Sequence, residues 1–138
     1  MRLLCFLARR FAWKAHSQTL PEADTDGLQG EALEAVVVWL HAQAEDESEP
    51  ARRRAFKHTL KHIKWMANKR GLERVALHSF GHLGGESAQP GFARDFLREL
   101  SERLEATGYE VSCTPFGWFC SWELDVHGES LAKVWKEI

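Results

Sequence analysis

The sequence has few cysteines and no long apolar run, and both absences narrow the class of protein. Cys5, Cys113 and Cys120 are its only cysteines, an odd number with no CxxC spacing. This argues against a disulfide framework and indicates a reduced, cytoplasmic compartment. No segment approaches the roughly 20 apolar residues of a membrane span. The apolar run at residues 3–7 is too short for a secretory signal and is followed by two arginines, so we expect no targeting or membrane segment.

Several motifs of cofactor and hydrolase chemistry are also missing. The sequence contains no phosphate-binding glycine loop, no serine-hydrolase elbow and no dinucleotide-binding fingerprint. His78 and His82 are four residues apart, but they lie on a predicted strand and at its end. Four strand residues span roughly 13 Å, which is too far for one metal ion. We therefore expect neither a metal site nor an organic cofactor.

The composition is that of a soluble globular protein with an uneven charge distribution. The 138 residues favour one domain, with 44% apolar and 28% charged residues. The net charge is only −2, yet residues 22–49 carry nine acidic side chains and no Lys or Arg. Residues 52–70 carry eight basic side chains and no acid. This asymmetry fits a surface that faces a polyanion, and it also fits ordinary solvated faces.

Hydrophobic periodicity predicts the element order β-β-β-α-β-α-β-β-α. The predicted strands are residues 3–7, 11–16, 35–42, 74–80, 109–114 and 119–127, the first two forming a hairpin that turns at Arg9 and Arg10. One amphipathic helix follows Pro50 and ends at Gly71, and a second runs from Pro90 to near Gly108. Leu131, Val134 and Trp135 predict a short closing helix. The fold class is α/β or α+β, a single domain with helices packed on a mostly β core.

Three side chains are candidates for chemistry, each with a second interpretation. His82 follows a buried strand and Gly81, so it is a hydrogen-bond donor or general base, or else a loop histidine bonded to a carbonyl. Cys120 is a candidate nucleophile, but its apolar neighbours Trp122 and Leu124 favour a buried, inert thiol. Lys133 lies beside apolar residues of the closing helix, where most lysines are simply solvated.

The first helix carries a candidate RNA-binding stripe. Lys57, Lys61 and Lys64 lie about 100° around the helix from its apolar face. With His58, His62 and Trp65 nearby, they suit contacts to phosphates and stacking on bases. No established RNA-recognition signature accompanies them.

Two segments resemble one family. SFGHLGGESAQP and the helix and strand after it resemble the F-A-H-L-S-S-x-x-A-x-P segment of the archaeal threonyl-tRNA synthetase editing domain. TPFGWFCSWELDVHGESLAKVWKEI resembles that domain's A-P-F-G-Y-Y-K strand and G-H-P-L-A closing helix. The resemblance is good from about Arg74 onward, weaker over AVVVWLHAQAED and weakest at the N-terminus. The chain stops where that domain would join the synthetase body, so we expect a freestanding version.

The resemblance implies a D-aminoacyl-tRNA deacylase-like fold and hydrolysis of serine wrongly esterified to threonine tRNA. His82 falls on the family histidine, Gly81 near the pocket backbone, Phe119 on the pocket tyrosine and Ala42 on a pocket valine. The resemblance thereby predicts a substrate pocket formed by Ala42, Phe80, Gly81, Pro115, Phe116, Gly117, Trp118 and Phe119.

Two charged positions depart from the family pattern together. Cys120 stands where the family carries lysine, and Lys133 stands where it carries glutamate. Our hypothesis is that Lys133 reaches the pocket from the other side and restores the cation. The alternative is that the protein has lost hydrolysis or acts on a different aminoacyl ester. Phe119 lacks the tyrosine hydroxyl, and Ala42 in place of valine would widen the pocket.

The sequence therefore predicts a trans-editing aminoacyl-tRNA deacylase that acts on the 3′ end of an aminoacyl-tRNA, most simply seryl-tRNA(Thr). The alternative is a non-catalytic module that binds aminoacyl-tRNA, or docks on a threonyl-tRNA synthetase through residues 22–49. A third interpretation is a small-molecule pocket lined by Trp118, Phe119 and Trp122. We expect no membrane partner, and an exposed sheet edge would allow a homodimer.

Overall fold

The structure, a computed structural model, describes residues 1–138 as one six-stranded sheet with two helices. The elements in chain order are β1 (Arg2–Gln18), β2 (Gln29–His41), α1 (Glu49–Arg70), β3 (Arg74–Ser79), α2 (Pro90–Ala106), β4 (Glu110–Cys113), β5 (Trp118–Val126) and β6 (Lys133–Glu137), with short 3-10 helices at Ala44–Glu47 and Ser130–Ala132. The strand order in the sheet is β4-β3-β2-β1-β5, and β6 also pairs with β1. This confirms the predicted α+β class with a mostly β core.

The helices connect parallel strands and cover one face of the sheet. β2, β3 and β4 are mutually parallel, so α1 and α2 are the crossovers between them, while β1 runs antiparallel to β2, β5 and β6. Ile63 of α1 and Phe96 of α2 are fully buried against this face. α1 ends at Gly71, whose φ of 63° is the left-handed conformation typical of a helix C-terminus. No helix is long and apolar enough to cross a bilayer.

The predicted N-terminal hairpin is wrong, because β1 is one strand of 17 residues. Its odd positions at residues 3–7 face the helices, whereas Phe11 and Trp13 pack on the opposite face. The switch occurs at Arg9, which bulges from the pairing with β5, and Glu34 opposite it has a φ of 46°. An added residue reverses the inward and outward alternation that follows it. The bulge therefore allows one strand to contribute to both faces.

The predicted closing helix is also wrong. Leu131 and Ala132 lie in a 3-10 turn, and the residues after them form β6, which pairs with residues 2–6 of β1. β5 covers only the second half of β1, so the first half has free backbone groups that a strand can satisfy. Val134 and Trp135 suit that strand as well as they suit a helix.

The helix-free face of the sheet carries a second apolar cluster centred on Phe11, Trp13 and Val37. A group of aromatic rings adjoins it. The Trp39 ring centroid lies 4.5 Å from that of Trp122 and 5.0 Å from that of Phe80. Trp39 belongs to β2 and Trp122 to β5, and β1 lies between those strands, so the sheet curls toward this face. The curl brings the ends of β3 and β5 to one place.

Candidate active site

A cavity of about 350 Å³ opens on the helix-free face, where β3 ends and β5 begins. Its wall consists of two segments that the sequence singled out and part of the loop after β1. The lining residues are Thr19, Leu20, His78, Ser79, Phe80, Gly81, His82, Pro115, Phe116, Gly117, Trp118, Phe119, Cys120 and Trp122. Residues 80–82 and 115–120, which the sequence predicted as site residues, therefore line the same cavity.

Parallel pairing of β3 with β4 places the two segments side by side. Both strands end at the same edge of the sheet, and the N–H of Thr114 donates to the carbonyl oxygen of Leu77 at 3.0 Å. Residues 80–82 leave β3 at this edge, and residues 115–117 leave β4 there. Carboxyl ends of parallel strands are a common position for ligand sites.

The loop between β1 and β2 forms one wall of the cavity, which the sequence did not predict. Thr19 N–H donates to the carbonyl oxygen of Gly117 at 2.8 Å. Asp24 N–H donates to the carbonyl oxygen of Phe116, and Asp24 Oδ2 accepts from Phe116 N–H at 2.8 Å. Trp118 Nε1 also donates to the Asp24 carbonyl oxygen at 2.8 Å. The only sequence signal is three acidic side chains, Glu22, Asp24 and Asp26, in a loop that also has Pro21 and Gly27.

Gly117 allows this close approach of the two loops. Its φ is 84°, which side chains other than glycine rarely adopt. A Cβ at this position would lie 2.9 Å from both Cα and Cβ of Ala23. The Pro-Phe-Gly sequence therefore has a steric reason for its glycine.

The loop that carries His82 is held by a buried histidine, His41, which the sequence also did not reveal. Leu83 N–H donates to His41 Nδ1 at 3.2 Å, so the proton of the neutral ring sits on Nε2, which donates to Ser87 Oγ at 2.7 Å. Burial lowers the pKa of His41, and the positive charge of Arg2 lowers it further. Arg2 itself donates to the carbonyl oxygen of Leu83 at 3.1 Å. His82 is left exposed, its ring 5.4 Å from that of Phe80.

The cavity wall has no Asp, Glu, Lys or Arg. Its two ionisable rings are His78 and His82, and burial lowers the pKa of His78 to about 4, so that imidazole is neutral near pH 7. Burial raises the pKa of the Cys120 thiol, which keeps it protonated. The backbone N–H groups of Gly81 and His82 donate to no protein acceptor. The wall thus offers neutral donors and acceptors to a ligand.

Two predicted site residues lie outside this cavity. Ala42 follows β2 and packs beside the core under the helices, where its carbonyl oxygen accepts from Ala88 N–H at 2.9 Å. Lys133 is the first residue of β6, paired with Phe6, and its Nζ donates to the carbonyl oxygen of His127 at 3.0 Å. The structure therefore does not bring the Lys133 ammonium to the cavity that lacks a cation.

The lysine stripe also lies apart from the cavity. α1 covers the opposite face of the sheet, and Lys57 and Lys61 are exposed there while Lys64 is half-buried. Of the three lysines, Lys57 lies nearest the N-terminus of α1, the end of the helix that follows β2. The stripe remains a predicted tRNA contact.

Comparison with known proteins identifies the family. The sequence matches the archaea-specific editing domain of threonyl-tRNA synthetase over residues 1–138. The chain belongs to this family. The resemblance found in the two motif segments is thereby confirmed and extends over the whole chain, including the N-terminal part where the motifs were weakest.

The relatives include threonine–tRNA ligases of archaea. The chain is 32% identical to that of Hyperthermus butylicus over 97% of its length, and 27% and 29% identical to those of Methanococcus aeolicus and Thermococcus kodakarensis over its full length. It spans 22% of the length of each of these ligases.

One solved structure shares the fold. The c-Myc DNA unwinding element binding protein superposes with a TM-score of 0.69, covering 100% of this chain and 99% of the other at 14% identity. A likeness at this identity concerns the fold alone. It confirms the predicted D-aminoacyl-tRNA deacylase-like fold.

Proposed function

We propose that this protein is an aminoacyl-tRNA deacylase that hydrolyses seryl-tRNA(Thr). The observation that carries the proposal is the mouth of the cavity, where an exposed imidazole, His82, adjoins two backbone N–H groups without acceptors. The cavity belongs to a chain of the threonyl-tRNA synthetase editing-domain family, whose name describes removal of a wrong amino acid. An ester carbonyl at this mouth would meet both a base and donors.

The proposed reaction is attack of water on the ester carbonyl carbon. The developing oxyanion accepts hydrogen bonds from the N–H groups of Gly81 and His82, an arrangement that stabilises tetrahedral intermediates. The His82 imidazole takes the proton of the attacking water and returns it to the ribose oxygen as the C–O bond breaks. The products are the free amino acid and deacylated tRNA. The neighbouring ribose hydroxyl of the substrate can orient the water, because it both donates and accepts.

The residues that bind substrate in this proposal are the cavity wall itself. Phe80, Trp118 and Phe119 supply apolar area, and residues 115–117 supply rigid backbone held by Asp24. Serine and threonine differ by one methyl group, and a pocket distinguishes such pairs by about 10- to 200-fold. Preference for serine would come from exclusion of that methyl.

The test is a deacylation assay of the 138-residue protein on seryl-tRNA(Thr) and threonyl-tRNA(Thr). We expect serine to be released at least about tenfold faster than threonine. His82→Ala should lower the rate by about 100-fold, since a general base contributes that much or more. Lys133→Ala serves as the matched control and should retain the rate, because its ammonium bonds to the carbonyl oxygen of His127. No release above the enzyme-free rate would reject the proposal.

One observation favours the alternative of a non-catalytic binding module. Cys120 stands at the position that resembles the family's lysine, and no Lys or Arg lines the cavity. This alternative predicts binding of aminoacyl-tRNA without turnover, and no effect of His82→Ala on the lifetime of the ester. The same assay, with tRNA binding measured in parallel, separates the two functions.

A further inference from the structure

His78 is the one ionisable side chain buried in the cavity wall. It is 5% exposed, and its Nδ1 lies 2.7 Å from Oγ1 of Thr114, which is itself buried. The backbone of Thr114 is fixed by its hydrogen bond to Leu77. One edge of the imidazole is therefore anchored to the end of β4, the strand that leads into the Pro-Phe-Gly segment.

Three aromatic rings hold the orientation of His78. Its ring centroid lies 5.1 Å from that of Trp122, at an interplanar angle of 81°, and 6.0 Å from those of Trp39 and Phe80. The ring cannot turn without losing both these contacts and the bond to Thr114. Its other nitrogen, Nε2, has no hydrogen-bond partner in the protein.

Nε2 is not among the side-chain atoms that the protein fully buries without a partner, so it is open to the cavity and to water there. A ligand that displaces this water leaves Nε2 unpaired unless it supplies a hydrogen-bond partner, and an unpaired polar atom opposes binding. A hydroxyl supplies that partner, whereas a methyl group does not. The imidazole thus discriminates between occupants of the cavity by their polarity. Thr19 is exposed, and the Ser79 side chain alternates toward the helix-covered face, so neither replaces His78 at this depth.

We propose that His78 is a specificity-determining residue whose Nε2 forms a hydrogen bond with the side-chain hydroxyl of the bound amino acid. This inference rests on the proposed function, and it narrows the substrate class to esters of hydroxyl-bearing amino acids. A hydroxyl both donates and accepts, so it pairs with Nε2 in either tautomer of the ring. His78 selects serine and threonine against alanine and valine, and the size of the cavity then separates serine from threonine.

The absence of lysines and carboxylates from the wall agrees with this role. A neutral imidazole suits an uncharged hydroxyl, and the lowered pKa of His78 keeps the ring neutral throughout the physiological range. A lysine at the position of Cys120 would be a competing hydrogen-bond donor to the substrate hydroxyl. This chain has no lysine there, so His78 forms that bond.

The test measures binding of two non-hydrolysable probes, adenosines that carry serine or alanine through a 3′-amide. We expect the wild-type protein to bind the serine probe at least about tenfold more tightly than the alanine probe. His78→Leu should bring that ratio close to one through loss of affinity for the serine probe alone. His78→Gln, which keeps a donor and an acceptor, should restore part of the preference.

A second variant and a spectroscopic readout keep the test decisive if His78→Leu does not fold. Thr114→Val removes the anchor of Nδ1 while leaving the volume nearly unchanged, so it should also reduce the preference for serine. In ¹⁵N spectra of the wild type, the Nε2 resonance of His78 should shift with the serine probe and not with the alanine probe. Equal affinities for the two probes, no binding of either, or an unmoved Nε2 resonance would overturn the inference.

These outcomes are distinct from failure of the proposed function. If seryl-tRNA(Thr) is hydrolysed but the two probes bind equally, the deacylase proposal stands and the role of His78 falls. If the serine probe binds selectively while no ester is hydrolysed, His78 is a specificity residue of a binding module instead.

Discussion

Asp24 and Phe116 are 92 residues apart in sequence and exchange two hydrogen bonds at the wall of the cavity. Asp24 N–H donates to the Phe116 carbonyl oxygen at 2.9 Å, and Phe116 N–H donates to Asp24 Oδ2 at 2.8 Å. The Arg94 guanidinium lies 4.9 Å from the centre of the Phe116 ring and donates to the carbonyl oxygen of Glu22 in the same loop as Asp24. These bonds hold the loop after β1 against residues 115–117, and the Asp24 carboxylate is the one side-chain acceptor among them.

Asp24→Ala should loosen this wall. Loss of the charged acceptor leaves Phe116 N–H without its partner, so we expect a fall of about 1 kcal/mol in the free energy of unfolding. Deacylation should fall more steeply, by about tenfold, because small displacements of positioning groups have large effects on rate. Urea unfolding and the deacylation assay measure the two quantities. Asp26→Ala, an exposed carboxylate of the same loop without a bonded partner, is the control and should change neither.

Gly117→Ala should be strongly destabilising. The new methyl would meet Ala23 at 2.9 Å from both its Cα and Cβ, and φ of 84° is strained for alanine. We expect a loss of about 2–4 kcal/mol in unfolding free energy and complete loss of the cavity's activity. Gly91→Ala is matched to it, because nothing lies within 4 Å of the added methyl in α2. That variant should be as stable as wild type or slightly more so, and equal losses in both would contradict the steric argument.

Local sequence patterns predict most of the fold. The two wrong predictions lie where contacts with residues distant in sequence determine the secondary structure. Arg9 and Arg10 resemble a turn in sequence, but Arg10 forms ion pairs with Glu31 of β2 and Glu123 of β5, which make it suitable for a central strand. Such partners cannot be read from neighbours in sequence. Val134 suits a helix or a strand equally, and only the free edge of β1 decides between them.

The candidate site likewise has parts that local sequence patterns predict and parts that depend on residues distant in sequence. The segments at residues 80–82 and 115–120 were predicted because their glycines and aromatics form contiguous motifs. The supports at Asp24 and His41 were missed, since each acts on a residue more than 40 positions away. The sequence predicts no role for His78, because its spacing from His82 along a strand is too long for one metal ion, and its burial beside Thr114 has no signature in the sequence.

Cys120 should prove dispensable as a nucleophile. Burial raises the pKa of its thiol above the usual value, so at pH 7 the reactive thiolate is a small minority. Cys120→Ser should retain the deacylation rate within about threefold, an effect below that of removing a nucleophile. Alkylation by iodoacetamide at pH 7 should be slower at Cys120 than for a free cysteine peptide. A collapse of activity in the serine variant would instead assign the thiol a direct role.

The lysine stripe predicts a salt-dependent contact with tRNA. Charge reversal of Lys57, Lys61 and Lys64 together should weaken binding and reduce the slope of log affinity against log salt by about 2–3, roughly one for each lost phosphate contact. Filter binding at several salt concentrations measures the slope. Lys61→Glu can be compared singly with Arg103→Glu, an exposed cation of α2. An unchanged slope in the triple variant would remove α1 from the tRNA-binding surface.

Acid should destabilise the protein through His78. The unfolded chain protonates this residue near pH 6.5, whereas the folded protein does so only near pH 4, because burial disfavours the charged ring. Between these values the unfolded state holds more protons, so the stabilisation present above pH 6.5 is lost as the pH falls toward 4. A pKa difference of this size corresponds to about 3 kcal/mol.

His78→Gln isolates this contribution from that of other groups. Burial also lowers the pKa values of His41 and His62, and both remain in the variant, as do all carboxylates. The loss of unfolding free energy between pH 7 and pH 4, measured by urea titration, should therefore be about 3 kcal/mol larger in the wild type than in His78→Gln. Equal losses in the two proteins would mean that His78 is protonated in the folded state at ordinary pH. The imidazole that contacts Trp122 and Phe80 would then be charged. The proposed hydrogen bond between a neutral His78 ring and the substrate hydroxyl would lose its basis.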